Sequence, residues 1–229
     1  FGHVHHYVDA AGGKPESVAE LARYFRSASA SMATFVSNHD AFAGQRLWDQ
    51  LAGDEARYKL AAAGYLLQPG TPFIYYGEEV GQAGLPGGPQ AGDAPLRAPM
   101  SWAPDTRSGG FSSGTPFRPA APNVLTHNVQ SQRADAQSIL HFYQALLQLR
   151  NTRPSIQRGS FENSFAQGLV LGFERRLGGE RSWVLINYGS SAATVQLPGV
   201  PARLRLHTLY PAGTATQRGG GDAGTPVTL

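Results

Sequence analysis

An amide, an imidazole and a carboxylate stand in consecutive positions at Asn38, His39 and Asp40, following Ser37 and the apolar run Met32-Ala33-Thr34-Phe35-Val36. Such groups can grip a polar substrate, and a carboxylate that binds more tightly as a reaction proceeds lowers the barrier without touching the bond broken. The run before them is rich in β-branched and aromatic residues and reads as a buried strand. Polar groups at the C-terminal tip of a parallel strand are where α/β folds place their chemistry. A lone Asn-His-Asp is weak evidence. The second run, Gly70-Thr71-Pro72-Phe73-Ile74-Tyr75-Tyr76-Gly77-Glu78-Glu79, strengthens it.

Other chemistry-bearing residues divide between function and structure. Glu78 and Glu79 tempt as an acid pair, but neighbours on an extended strand point to opposite faces, so both are read as structural. Arg97 offers a planar fork suited to bidentate contacts, or it pins a glycine-rich loop. His3, His5 and His6 fit no single regular face and are read as solvated histidines at a frayed end rather than metal ligands.

The elements that must position these groups follow from periodicity. Pro15-Glu16 starts a helix whose apolar face, Val18, Leu21, Ala22 and Phe25, runs to about Ser27. Asp54 is the expected N-cap of a second helix reaching Leu67, and Pro69-Gly70 ends it. The order helix, strand, helix, strand points to parallel βα units, with strands at Met32–Val36 and Thr71–Tyr76. From Gly81 to Asn128 no period is sustained, and long irregular connections of this kind are often functional. Asp135 is the expected cap of a further helix carrying Ile139, Phe142, Tyr143, Leu146 and Leu149. Two apolar runs around Leu177-Gly178-Gly179-Glu180 predict a hairpin, and Ala193–Leu197, Arg203–Leu209 and Pro226–Leu229 add short strands.

The composition sets outer bounds. The 229 residues are 41% hydrophobic, carry a formal charge of +3 and contain no cysteine, so disulfides and thiolate metal sites are excluded. No window approaches a membrane span, and scattered arginines argue against nucleic acid as a partner. The start at Phe1, with neither Met nor a signal-like segment, predicts a longer gene product.

Four motifs in order resemble the α-amylase family of retaining glycoside hydrolases, in its α-glucosidase and amylase-like subgroup. Phe35–Asp40 is similar to the family's fourth conserved region after barrel strand seven, and Gly70–Glu79 to strand eight. Arg97-Ala98-Pro99-Met100-Ser101-Trp102 resembles the R-x-P-M-x-W motif, and Ser138–Arg150 the last barrel helix. The resemblance covers residues 15 to 229 and implies an α/β plus all-β fold. In that fold 1–153 is the C-terminal portion of a (β/α)8 barrel, with its last βα units and a long 81–128 loop. Residues 154–229 form a small antiparallel β-sandwich.

The resemblance implies an α-glucan or α-glucoside substrate and makes Asp40 the transition-state stabiliser. His39 would donate to the same sugar, Asn38 would orient Asp40 or close the strand end, and Arg97 would reach a sugar hydroxyl or a catalytic carboxylate. Phe42, Trp102, Phe111 and Phe117 either stack on sugar faces or anchor the loop. Retaining hydrolysis also needs an attacking and a proton-donating carboxyl about 5–5.5 Å apart. Both precede the Asn-His-Asp region in the family, and neither has room here. Arg133-Ala134-Asp135-Ala136 copies the nucleophile motif in letters but lies downstream, where capping is the stronger reading. The expected partner is therefore the N-terminal remainder of the barrel, and the chain alone is expected to be inactive. Rival readings are a transglycosylase or isomerase of the same family, a non-catalytic amylase-like binding protein, and a carbohydrate-binding module. Many family members bind calcium. No Asp-dense loop assigns it here, and no cofactor is expected.

Overall fold

The computed structural model describes residues 3–87, 91–211, 216–218 and 224–229. Helices α1 (Val4–Ala11) and α2 (Pro15–Tyr24) lead into strand β1 (Ala33–Thr34), then helices α3 (Leu47–Gln50) and α4 (Glu55–Leu67) and strand β2 (Thr71–Pro72). Helices α5 (Val129–Arg133), α6 (Ile139–Thr152) and α7 (Pro154–Arg158) follow the long loop. The remaining elements are β3 (Ser160–Gln167), β4 (Val170–Leu177), β5 (Glu180–Asn187), β6 (Thr194–Leu197), β7 (Arg205–His207), β8 (Thr216–Arg218) and β9 (Thr225–Thr228).

α2 starts with Pro15 at its first turn and buries Val18, Leu21 and Ala22, the face its period predicts. The Asp54 carboxylate accepts from Arg57 N at 3.0 Å and caps α4, whose Tyr58, Ala61, Ala62, Tyr65 and Leu66 are buried. These side chains, with Tyr7 of α1, Tyr143 and Leu146 of α6, and Leu171, Phe173 and Val184 of the sheet β3-β4-β5, form the main core.

β1 and β2 pair in parallel, Ala33 with Thr71 and Thr34 with Pro72. The extended pairing stops there, short of the predicted Met32–Val36 and Thr71–Tyr76. Each strand has only the other as a ladder partner among the described residues, so the flanking residues lack the bonds that would prolong it. The pair is held from below by Arg150, whose buried guanidinium donates to the carbonyls of Leu66, Gln68 and Gly70. Arg175 of β4 does similar work, bonding the carbonyls of Leu67 and Gly159. The predicted hairpin is present, with Leu177 opposite Glu180 and Gly178 at φ +57°.

Three expectations are corrected. Helix α1 occupies the segment read as frayed. His3 there is buried and stacks on Tyr24 at 4.0 Å between ring centroids, and desolvation pushes its pKa down to about 4. Ser138, not Asp135, caps α6 by accepting from His141 N. Asp135 instead receives Gln137 N in a side-chain turn, the alternative use of a short acid near a helix start. Glu78 and Glu79 lie in a 3-10 turn, Glu78–Val80, not on an extended strand.

Gly70 has φ +97°, and a Cβ there would meet the Met32 carbonyl oxygen at 2.3 Å, across the β1–β2 junction. Gly70→Ala is expected to lose about 2–4 kcal/mol in urea unfolding. Gly168→Ala, at φ +58° with open space around it, should lose only about 1 kcal/mol. Equal losses would contradict this account of the junction.

Candidate active site

The parallel register brings the segments after β1 and β2 side by side. After β1 the chain stays buried through Ser37 and then emerges, leaving Asn38 and Asp40 half-buried and His39 exposed. The Asn38 side-chain oxygen accepts from Asp40 N at 2.8 Å, which closes a local turn and fixes the backbone of the carboxylate. Arg97, at the end of a 3-10 turn Ala94–Arg97 in the long loop, crosses over to it. Its Nη2 lies 3.1 Å from Asp40 Oδ1 and its Nε donates to the His39 carbonyl at 3.0 Å. His39 Nε2 stands 3.3 Å from the same Oδ1. Asp40 Oδ2 has no hydrogen-bond partner among the described residues. Thus Asn38, His39, Asp40 and Arg97, chosen from sequence, gather in one cluster.

Asp93 joins them and was not anticipated. Its Oδ2 accepts from Arg97 at 2.7 Å and its Oδ1 from Ala41 N at 2.8 Å, so it ties the loop to both partners. The signal was present as an acid four residues before an arginine, the spacing at which helical side chains meet.

A buried layer lies beneath the cluster. Glu78 has almost no exposure and its carboxylate accepts from Ser37 Oγ, from Tyr65 OH at 3.1 Å and from Tyr75 N at 3.3 Å. Tyr58 OH donates to the Glu78 carbonyl at 2.7 Å. Burial pushes the Glu78 carboxyl up to about 7, against the opposing hydrogen bonds from Ser37 and Tyr65 and the charge of Arg46. Sequence reasoning placed Glu78 as structural, which fits, but missed that it anchors Ser37 and so the base of the Asn-His-Asp turn.

The long loop is ordered by buried and half-buried polar side chains that bond its backbone. Gln82 accepts from Ser101 N at 3.0 Å, Asn123 bridges Gly81 and Ala83, and Asp49 accepts from Gly84 N at 2.7 Å. It presents Trp102, Phe111 and Phe117 to solvent around a concave surface of about 540 Å³ that Arg97, Tyr76, Glu79 and Met100 also line. Asp40 is not among its lining residues; Arg97 is the link between the carboxylate and this hollow. Phe42 is exposed beside Asp40 in sequence but does not line it. Arg133 and Asp135 are exposed at the C-terminal end of α5, where Asp135 accepts from Gln137 N. Among the described residues no three His, Cys, Asp or Glu are grouped to hold a metal ion.

Comparison with known proteins gives concordant matches. The sequence profile described as "Alpha amylase, catalytic domain" matches residues 15–159. A probable alpha-glucosidase of Rhizobium meliloti is 34% identical over 203 residues, covering 80% of this chain and 36% of its own. A trehalose synthase of Thermus thermophilus is 34% identical over 165 residues, 67% of this chain and 17% of its own. The crystal structure of an alpha-amylase from H.orenii superposes with a TM-score of 0.71 at 26% identity, over 86% of this chain and 40% of that one. This chain therefore spans about a third or less of the curated relatives named here.

The Glu78 carboxyl sets a pH dependence whose sign is fixed. Its native pKa lies above its ordinary value, so the native chain keeps the proton to higher pH than the unfolded chain. Stability from this group is complete below the ordinary carboxylate range and is lost as pH rises through about 7. Between about pH 5 and about pH 8 the wild type should lose on the order of 2 kcal/mol relative to Glu78→Gln in urea unfolding. Parallel pH curves would contradict it.

Proposed function

Because this chain belongs to the α-amylase family, we propose that it is the C-terminal part of a retaining glycoside hydrolase acting on α-glucosidic bonds of glucans or oligosaccharides. In this reading residues 1–153 supply the last βα units of an eightfold barrel and 154–229 a small β-sandwich. The N-terminal remainder of the barrel supplies the attacking and proton-donating carboxyls. Among the described residues the two parallel strands pair only with each other, which fits a sheet that other strands complete.

The observation that carries the reading is the Asp40 cluster. One carboxylate oxygen is held by Arg97 at 3.1 Å and faces His39, while Oδ2, without a hydrogen-bond partner among the described residues, would meet a sugar hydroxyl. A fixed anion gains strength as positive charge grows on the flattening sugar ring, and because it is held in advance it needs no rearrangement at that moment. Arg97 also aims the carboxylate, a task its rigid fork suits. His39, exposed at the same rim, is placed to donate to a neighbouring hydroxyl. Trp102, Phe111 and Phe117 extend an aromatic surface away from Arg97, suited to the apolar faces of further sugar units.

A second reading, transfer or isomerisation of a glycosyl unit, is favoured by the 34% identity to a trehalose synthase. The same residues serve it, since the two outcomes differ only in whether water or a sugar hydroxyl takes the glycosyl group. Product analysis separates them.

The isolated 229-residue chain should not hydrolyse a nitrophenyl α-glucoside, whereas the full-length protein should, with retention. In the full-length protein Asp40→Asn should lower kcat by about 10²–10³ and leave the fold intact. Retaining turnover by the isolated chain, or an unimpaired Asp40→Asn enzyme, would overthrow the proposal.

A further inference from the structure

Arg46 is one of the largest fully buried side chains among the described residues, with 1% exposure, yet it makes no direct ion pair among them. Its guanidinium donates through Nη1 to the Tyr76 carbonyl and through Nη2 to the Leu96 carbonyl, the latter at 2.6 Å. The same group sits 4.3 Å from the ring centre of Tyr75 and 4.7 Å from that of Tyr76. Those rings in turn tie themselves to the long loop, Tyr75 OH to the Leu96 carbonyl at 3.0 Å and Tyr76 OH to the Ala98 carbonyl at 2.6 Å. Every one of these loop contacts falls on the residue just before or just after Arg97.

Its charge acts on the nearby carboxylates of Glu78, Glu79 and Asp49 without a direct ion pair, and an apolar side chain would fill the same space without burying a charge. What an apolar side chain cannot do is bind two carbonyls from different segments in fixed relative positions. The guanidinium fork can, and aromatic faces favour a cation there. The links run unbroken from Arg46 to the Leu96 carbonyl, to the adjoining Arg97, and from Arg97 to Asp40 Oδ1 and the His39 carbonyl.

We propose that Arg46 is a positioning residue: it fixes the seat of Arg97 and, through Arg97, the aim of the Asp40 carboxylate. The proposal rests on the reading of Asp40 as the group that stabilises the transition state. A role in stability alone would lower the unfolding temperature and leave the kinetics of the folded enzyme unchanged.

The test compares Arg46→Lys, Arg46→Met, Arg97→Ala, the double variant Arg46→Met with Arg97→Ala, and Asp40→Asn, all in the full-length protein with a nitrophenyl α-glucoside. Folding is checked by circular dichroism, and kcat and KM are measured well below each unfolding temperature. Lysine keeps the charge but lacks the fork, so it decides the matter if the methionine variant does not fold. The expected result is a fall of at least about fivefold in kcat for every Arg46 variant that folds, with KM changed by less than about threefold. The double variant should be no more than about twofold slower than Arg97→Ala, because the path is already cut. A kcat loss under fivefold in Arg46→Lys overturns the proposal, as does multiplication of the Arg46 and Arg97 losses. Failure of both Arg46 variants to fold beside a folded Arg97→Ala overturns it as well. Full activity in Asp40→Asn would instead remove the sugar-site reading on which it stands.

Discussion

The parallel pairing of Ala33 with Thr71 and Thr34 with Pro72 is the constraint on which the site depends. It sets the ends of β1 and β2 at one level, so that Ser37 on one segment meets Glu78 on the other. A slip of one residue would send these side chains to opposite faces. The register is protected from both sides. Gly70 lets the β2 entry approach the Met32 carbonyl, and Arg150 gathers the carbonyls that α4 and the following turn leave unpaired. Thr34 adds a hydrogen bond from its hydroxyl to the Tyr65 carbonyl at 3.0 Å, which locks β1 against α4.

Above this pair the structure changes its means of support. The site is built on turns and an irregular loop, and buried polar side chains replace the ladder that a longer sheet would supply. Arg46 bonds carbonyls of two segments, and the Glu78 carboxylate accepts from Tyr75 N and the hydroxyls of Ser37 and Tyr65. Gln82 accepts from Ser101 N, and half-buried Asn123 bridges Gly81 and Ala83. Loops held in this way can carry a precise site because the backbone atoms they would leave orphaned are satisfied. The cost is that charged groups such as Glu78 lie in surroundings that oppose their ionisation.

Much of this was legible in sequence where local physics decides the outcome. The apolar periods of α2 and α4, the Asp54 cap and the Gly178-Gly179 hairpin arise from contacts within a few residues. A lone Asn-His-Asp is weak evidence, and the cluster with Arg97 was legible through the ordered motifs that resemble the α-amylase family. What escaped depends on distant partners. Helix α1 lacks a side-chain cap and an acidic first turn, and it is stabilised by burying Tyr7 and Ala10 against elements far along the chain. The cap of α6 moved from Asp135 to Ser138 because both are good caps, and only packing of Ile139 and Leu140 chooses between them. Arg46 gave no signal at all, since its acceptors are main-chain carbonyls, which carry no mark in the sequence.

The central claim is that Asp40 Oδ2 meets the sugar whose bond is broken. A crystal structure of the full-length protein with a bound α-glucoside or a ring-flattened mimic tests it most directly. The account predicts Asp40 Oδ2 within about 2.6–3.2 Å of a hydroxyl on that ring, with Arg97 still on Oδ1. A sugar ring bound in the catalytic cleft with no hydroxyl near Asp40 would contradict it.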